Sequence, residues 1–330
     1  MTHWYDDLCS CLQVDVAYVL RCHGWDPVRA LGATWQFAFA PGTAEPLEFY
    51  LPHVDDDVAD ALAPGQPLHA RWRWPSDAAE AAGQLRAAID AGRPPIVAVD
   101  NFYLPFRPAY GDVHAAHLVV VRGYDDGTVL VVDPMPPAFD GPLPESVLDT
   151  SRAAVTVTDE TDPFFAGSSL RRRWLEVYPT GPQPLLSWPW VCGVLRGNLA
   201  TMAGPPRDAS GRLTGLAGLA AYVEELPARG PDVLPELYVL GWWEQAAAAL
   251  HGEYLAAAGQ ALHRPALVEA GRLADLVAHE WTGLRITAAH AARTEPTDLL
   301  AGRLLSRGRR VLRAWADTAD HLHDALGAAA

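Results

Sequence analysis

His117-Leu-Val-Val-Val-Arg-Gly-Tyr-Asp-Asp-Gly-Thr-Val-Leu-Val-Val-Asp133-Pro134 is where the fold of this chain is decided. Two β-branched, apolar runs flank Asp125-Asp126-Gly127, the pattern of a buried hairpin with its turn. A histidine opens the first strand and an aspartate closes the second. With a five-residue loop, Gly123 to Gly127, positions 117 and 133 are symmetric about 125 and lie directly opposite. Directly opposed Cβ atoms come within about 5.5 Å, close enough for a carboxylate to orient an imidazole. A two-residue Asp126-Gly127 turn instead shifts the register and loses that pairing.

Upstream of the hairpin, Leu12, Val16, Val19 and Leu20 keep the 3.6-residue period of a helix over Cys11 to His23. Ser10 is its expected N-cap and Gly24 its stop, so Cys11 falls in the first turn, where dipole and free amides favour a thiolate. The segment from Pro41 to Pro75 reads as loops and short strands without assigned chemistry. Asp77-Ala-Ala-Glu80 has capping-box spacing and opens a helix that buries Leu85 and Ile89 and ends at Gly92. Ile96 to Asp100 is a short buried strand. Asn101 to Val113 is an aromatic, Pro-rich loop expected over the cleft of the hairpin. Ala153 to Thr158 and Arg173 to Tyr178 supply two more strands of an antiparallel sheet behind the N-terminal helices.

Pro179 to Pro189 reads as a linker. Beyond it the pattern predicts helices over Leu213 to Leu226, Glu236 to Leu262, Pro265 to about Ala288, and Thr297 to Leu326, suiting a bundle. The expected fold class is therefore α+β: an α/β domain over residues 1–185, then a helical domain over 186–330 that completes the cleft.

Composition sets outer limits. With 330 residues and 50% hydrophobic content the chain can bury one large core or two moderate ones. A charged fraction of 20% and a formal net charge of −15 argue against general nucleic-acid binding. The sequence contains no lysine, which excludes a Schiff-base lysine, pyridoxal phosphate attachment and a phosphate-loop lysine. Neither a signal-peptide pattern at Met1 to Asp7 nor a membrane-length apolar run is seen, so a soluble, cytoplasmic protein is expected. Four cysteines, Cys9, Cys11, Cys22 and Cys192, are too few for a disulfide scaffold. Cys11 and Cys22 on one helix stand roughly 16 Å apart, too far to share a metal.

A cysteine at a helix N-terminus, a histidine about a hundred residues on, and an aspartate on the partner strand follow the order of a papain-like nucleophilic site. The chemistry needs all three types, because a thiolate attacks a carbonyl carbon, an imidazole holds and returns the proton, and a carboxylate fixes its tautomer. The bland alternative is a buried hydrophobe-like Cys, a satisfied strand His and an Asp-Pro turn.

Three stretches carry a family resemblance: Cys11 with its apolar helix reaching Gly24, Gly92-Arg-Pro-Pro-Ile-Val-Ala-Val-Asp-Asn-Phe-Tyr-Leu-Pro-Phe106, and His117 to Tyr124 followed by Val132-Asp133-Pro134. Together they resemble the butirosin-type acyltransferase family, of papain-like cysteine-protease fold. Glu253-Tyr-Leu-Ala-Ala-Ala and Arg264-Pro-Ala-Leu-Val-Glu-Ala in the helical half are similar too, so the resemblance covers most of the chain. One position departs: the family commonly has a His just before the Cys, and here stands Ser10. The resemblance implies transfer of an acyl group from a carrier-protein thioester to an aminosugar; related lincosamide-pathway enzymes condense a carrier-bound amino acid with an amino-octose. It implies Cys11 as nucleophile, His117 as base and then acid, and Asp133 as orienting partner; the alternative to an acyl-enzyme is direct attack by an amine that His117 deprotonates. The chain would need no metal or cofactor of its own, the phosphopantetheine belonging to an acyl or peptidyl carrier protein.

Asn101 and Tyr103 would line the cleft or donate to an oxyanion, although aromatics in such loops usually pack. Cys9 is a neighbour of the nucleophile rather than the nucleophile. His114 and His117 have metal-like spacing, but three residues apart on a strand they face opposite ways, and His114 ends the loop. Arg171-Arg172-Arg173 could meet the phosphate of a carrier's phosphopantetheine arm, against the bland reading of a solvated edge. Arg303, Arg307, Arg309, Arg310 and Arg313 share that ambiguity. Trp242 and Trp243 read as core. An amine acceptor would favour acids of the helical half, Glu244, Glu253, Asp275, Glu280, Glu295 or Asp298, with Glu280 the substrate-binding candidate among them. Most of these suit a solvated helical face. A cysteine peptidase or hydrolase on the same three residues, and a non-catalytic binding module, are the competing functions.

Overall fold

The computed structural model describes residues 9–40, 56–154, 169–228, 233–293 and 298–327. Its first elements are α1 (Cys11–Cys22), α2 (Pro27–Leu31), β1 (Ala38–Phe39), α3 (Ala59–Leu62), β2 (Leu68–Arg73), α4 (Ala78–Asp90), β3 (Ile96–Asp100) and β4 (Ala116–Asp125). There follow β5 (Thr128–Asp133), β6 (Phe139–Pro144), α5 (Glu145–Arg152), β7 (Trp174–Pro179), α6 (Trp188–Met202) and β8 (Leu213–Thr214). Helices α7 (Gly215–Glu225), α8 (Val233–Ala261), α9 (Pro265–Ala292) and α10 (Asp298–Gly327) end the chain. The fold is thus mixed helix and sheet with a C-terminal helical region. No helix among the described residues is long and apolar enough to cross a membrane.

Two compact units divide the described residues. One holds the chain as far as Pro27, residues 56–61 and Gly65–Gln183; the other holds 28–40, Leu62–Pro64 and the chain from Pro184 on. The first unit is built on a six-stranded sheet in the order β2-β7-β3-β4-β5-β6. All its neighbouring strands are antiparallel. Val97, Val99, Val119, Val121, Val129 and Val131 form one core with Leu85 of α4 and Leu148 of α5. The strand expected over Ala153 to Thr158 is not found at its start, where Ala153 caps α5, and its residues 155–158 lie outside the described residues.

The hairpin departs from the five-residue loop, and the departure explains how the His–Asp pairing survives. Asp126 and Gly127 alone make the turn, with φ of 36° and 75°, the left-handed pair whose twist suits two antiparallel strands. From there Asp125 pairs with Thr128, Tyr124 with Val129 and Gly123 with Leu130. Continued unbroken, that register would set Asp133 beside Val120, on the face away from His117. A bulge at Arg122 resets it, so that Val121 pairs with Val131 and Val120 with Val132. One step further, Asp133 falls beside Val119, on the face that His117 shares. The extra residue restores the parity that the short turn alone would lose.

The second unit is helical, but it begins well before the expected linker. Residues 33–39 enter its core through aromatic contacts: Trp35 against Trp315 at 4.7 Å and Phe39 against Tyr222 at 4.9 Å between ring centres. β1 pairs with β8, and Asn198 of α6 holds the segment with a bond from its amide to the Ala33 carbonyl (3.0 Å). Gly32 is required there, since a Cβ would sit 2.4 Å from the Leu250 carbonyl oxygen. Trp242 and Trp243, expected as core, are only half-buried, and the Arg285 guanidinium lies 5.0 Å from the Trp242 ring centre.

His251 of α8 is fully buried, stacked on Trp35, with Nδ1 donating to the Gly32 carbonyl (2.8 Å). Burial pushes its pKa down to about 4. A lowered folded-state value means the stabilisation is complete above the ordinary histidine range and is lost as pH falls through it towards 4. His251→Asn removes the titration while keeping a donor for Gly32. The wild-type advantage in unfolding free energy over this variant is therefore expected to shrink by about 3 kcal/mol between pH 7 and pH 4. Denaturant titrations at both pH values check it, and an unchanged difference would contradict it. Glu244, buried on the same helix with its pKa raised by desolvation, acts in the opposite sense but is common to both proteins.

Candidate active site

Cys11 is the first residue of α1 and is almost completely buried. Ser10 closes a capping box there: its hydroxyl accepts from the Gln13 amide (3.3 Å) and the Gln13 side chain accepts from the Ser10 amide (3.0 Å). Ser10 is thus the N-cap of the helix that presents Cys11. Helix α1 packs against β4, the strand of His117, and against β7. Cys9 is buried before the helix begins.

His117 and Asp133 meet directly, His117 Nε2 to Asp133 Oδ2 at 2.8 Å. Both are buried, His117 4% exposed and Asp133 0%. With Nε2 directed at a carboxylate oxygen, Nδ1 is the nitrogen left to take a proton from a nucleophile. Asp133 is held in turn. Its Oδ1 accepts from the Met135 amide (3.0 Å), and Oδ2 also accepts from Arg107 Nη1 (3.1 Å), which reaches the Met135 carbonyl as well (3.3 Å). A carboxylate fixed by three donors cannot swing away from the imidazole.

Two members of this cluster escaped sequence reasoning. Arg107 stood in the aromatic loop with no role, and no periodicity points from it to Asp133. Asp15 lies one turn beyond Cys11 on α1, hence on the same helix face. It is fully buried, and neither carboxylate oxygen has a hydrogen-bond partner. Burial raises its pKa well above the ordinary carboxyl range; the nearby charge of Asp133 raises it further and Arg107 opposes. An acid amid the apolar helix positions was the available signal. A raised folded-state value means the stabilisation is complete below the ordinary carboxyl range and is lost as pH rises through the raised value. Asp15→Asn is therefore expected to gain stability relative to wild type from pH 4.5 to pH 8, read by urea unfolding. A constant difference would contradict this.

Asn101 and Tyr103 lie on a 3-10 turn at the end of β3. That turn is organised by Asp100, whose Oδ1 accepts from the Phe102 and Ala115 amides (3.0 and 3.2 Å) and whose Oδ2 meets His114 Nδ1 (2.7 Å). His114 stacks on Phe102 with ring centres 4.0 Å apart and has Tyr103 edge-on. The loop-ending histidine is thus half of a second His–Asp pair. The Asn101 side-chain oxygen is buried without a hydrogen-bond partner.

Glu280 belongs to the helical unit, where it faces Arg310 at 3.3 Å. Among the other acids Glu244 is buried, Glu253 half-buried, and Asp275 and Asp298 exposed; Glu295 lies outside the described residues. The triple arginine is not uniformly a solvated edge. Arg173, which immediately precedes β7, is 1% exposed and lies over Trp72 and Trp74 at 5.0 and 5.1 Å. Arg309 is taken up by Glu224 (2.9 Å). Among the described residues no cluster of three or more His, Cys, Asp or Glu is arranged for a metal ion.

Residues 10–134 match the family described as Butirosin biosynthesis protein H, N-terminal. The matched segment runs from the cap of α1 to Pro134 and holds Cys11, Asp15, Arg107, His117 and Asp133. No curated protein matches the chain.

Proposed function

We propose, from the match of residues 10–134 to the family described as Butirosin biosynthesis protein H, N-terminal, that the chain is an amide-forming acyltransferase of antibiotic biosynthesis. It takes an aminoacyl group from a carrier-protein thioester, borne on the carrier's phosphopantetheine, and gives it to the amine of an aminosugar-like acceptor. The observation that carries the reading is the buried His117–Asp133 pair at 2.8 Å on a strand packed by the helix that Cys11 opens.

In this proposal the arrangement works as in papain-like enzymes. His117 Nδ1 takes the Cys11 thiol proton, and the sulfur attacks the thioester carbonyl. The tetrahedral adduct collapses as the carrier thiol leaves with the proton from His117, and the acyl group rests on Cys11. The acceptor amine then attacks that carbonyl, yields its proton to His117 and displaces the Cys11 sulfur, which recovers the proton. Asp133, braced by Arg107 and the Met135 amide, keeps the imidazole in one tautomer and orientation. A thioester is richer in free energy than an amide, so the exchange runs downhill without ATP. Asn101 and Tyr103 are proposed to contact substrate.

The test supplies an aminoacyl carrier thioester with and without an aminosugar and identifies products by mass spectrometry. Amide formed only with the amine present, faster than hydrolysis, is the expected result. Release of the free acid alone would favour a hydrolase, and no consumption of thioester would favour a binding module.

A further inference from the structure

The β4–β5 hairpin, α4 and α5 enclose a groove of about 270 Å³ within the sheet-bearing unit, lined by apolar Ala82, Leu85, Val129 and Leu148 and by polar Tyr124 and Arg152. Arg152 is the anomaly in it. The residue is 3% exposed, its Nη2 donates to the Arg172 carbonyl (2.7 Å), and its Nε is buried with no hydrogen-bond partner. The two carboxylates that also line the groove are committed elsewhere: Glu145 to Arg86 (2.8 Å) and Asp149 to Arg172 (3.1 Å). Among the described residues no carboxylate therefore pairs with Arg152. Among the described residues around the groove, Arg86, Arg152 and Arg172 face Glu145 and Asp149, leaving one positive charge in excess.

A buried cation without a bonded counter-ion is costly even with the charge of Asp149 nearby, and the cost is recovered when an anion enters. Burial brings the Arg152 pKa down to about 10, so the guanidinium stays charged at neutral pH. The rim is also strained: Arg171 and Arg172 are consecutive left-handed residues, with φ of 44° and 56°. Bonds from the Arg171 amide to the Ala154 carbonyl and from the Arg172 amide to the Arg152 carbonyl, both 2.9 Å, hold this turn. It brings the Arg172 carbonyl onto Arg152. Of the triple arginine, Arg172 thus adjoins the groove through Asp149 and Arg152.

We propose that this groove binds a small oxyanion, a carboxylate or phosphate monoester, carried on a compact apolar body. The guanidinium of Arg152 pairs with the anion, the Tyr124 phenol lies beside it, and Leu85, Val129 and Leu148 receive the apolar part. The site is independent of Cys11 and of the reading of acyl transfer.

Calorimetric titration of the full chain with phenyl phosphate, benzoate and neutral benzyl alcohol tests it. One molecule of at least one of the two anions should bind per chain, at least about tenfold tighter than benzyl alcohol, as a charged hydrogen bond supplies. Comparing phenyl phosphate with benzoate tells which oxyanion the site prefers. Arg152→Met should weaken anion binding about tenfold, and Arg152→Lys should restore part of it. Ala82→Trp fills the groove without altering Arg152 and should abolish binding, which keeps the test decisive if Arg152→Met fails to fold. Equal affinity for the anions and the alcohol, undiminished binding in Ala82→Trp, or no binding of either anion would overturn the proposal.

Discussion

Cys11→Ala is expected to lower acyl transfer by about a thousandfold or more, while Cys9→Ala stays within a few-fold of wild type. Only Cys11 stands in the first turn of a helix, where the capping box of Ser10 and Gln13 fixes the backbone and the dipole favours a thiolate. Cys9 precedes the helix and is packed like a small hydrophobe. The substitution exchanges one small side chain for another at a buried position, so the variant should fold. Rates of thioester consumption by the two variants, beside their circular dichroism, decide the assignment. Equal losses in both, or full activity without the Cys11 sulfur, would end it.

Much of this arrangement was legible in the sequence because the signals were local. Ser10, the helix from Cys11 and the strand Ile96 to Asp100 follow from caps and short-range periodicity. What escaped depended on neighbours distant along the chain. β6 carries Pro142 and Pro144, which only an edge strand tolerates, and edge position is a property of the sheet. Trp188-Pro189, read as the end of a linker, is the start of α6, where proline in the first turn forfeits no bond. β2 is one of the short strands expected between Pro41 and Pro75, alternating buried and half-buried residues, but its pairing with β7 joins residues about a hundred positions apart. The hairpin is the clearest case. Asp126-Gly127 announced a two-residue turn, yet the bulge at Arg122 that aligns Asp133 with His117 has no signature in composition.

Asp133→Asn is the second large effect. Turnover is expected to fall by about a hundredfold to ten-thousandfold with the fold intact. The carboxylate accepts from His117, Arg107 and the Met135 amide at once, and an asparagine has only one acceptor oxygen for these donors. If that oxygen serves Arg107 and Met135, the amide nitrogen faces the imidazole and selects the wrong tautomer. The volume is unchanged, so thermal unfolding should show a cooperative transition near that of wild type. A folded variant with an unchanged rate would reduce Asp133 to a structural residue of the strand end.

The central claim is that the Cys11 sulfur and the His117–Asp133 pair act as one unit, and the reactivity of that sulfur tests it most directly. Alkylation of Cys11 by iodoacetamide, located by peptide mass spectrometry and followed from pH 5 to pH 10, reports the fraction present as thiolate. The account predicts that wild type is alkylated already below the ordinary cysteine range and that His117→Ala shifts the profile upward, with Asp133→Asn between them. Superimposable profiles in all three proteins would contradict it.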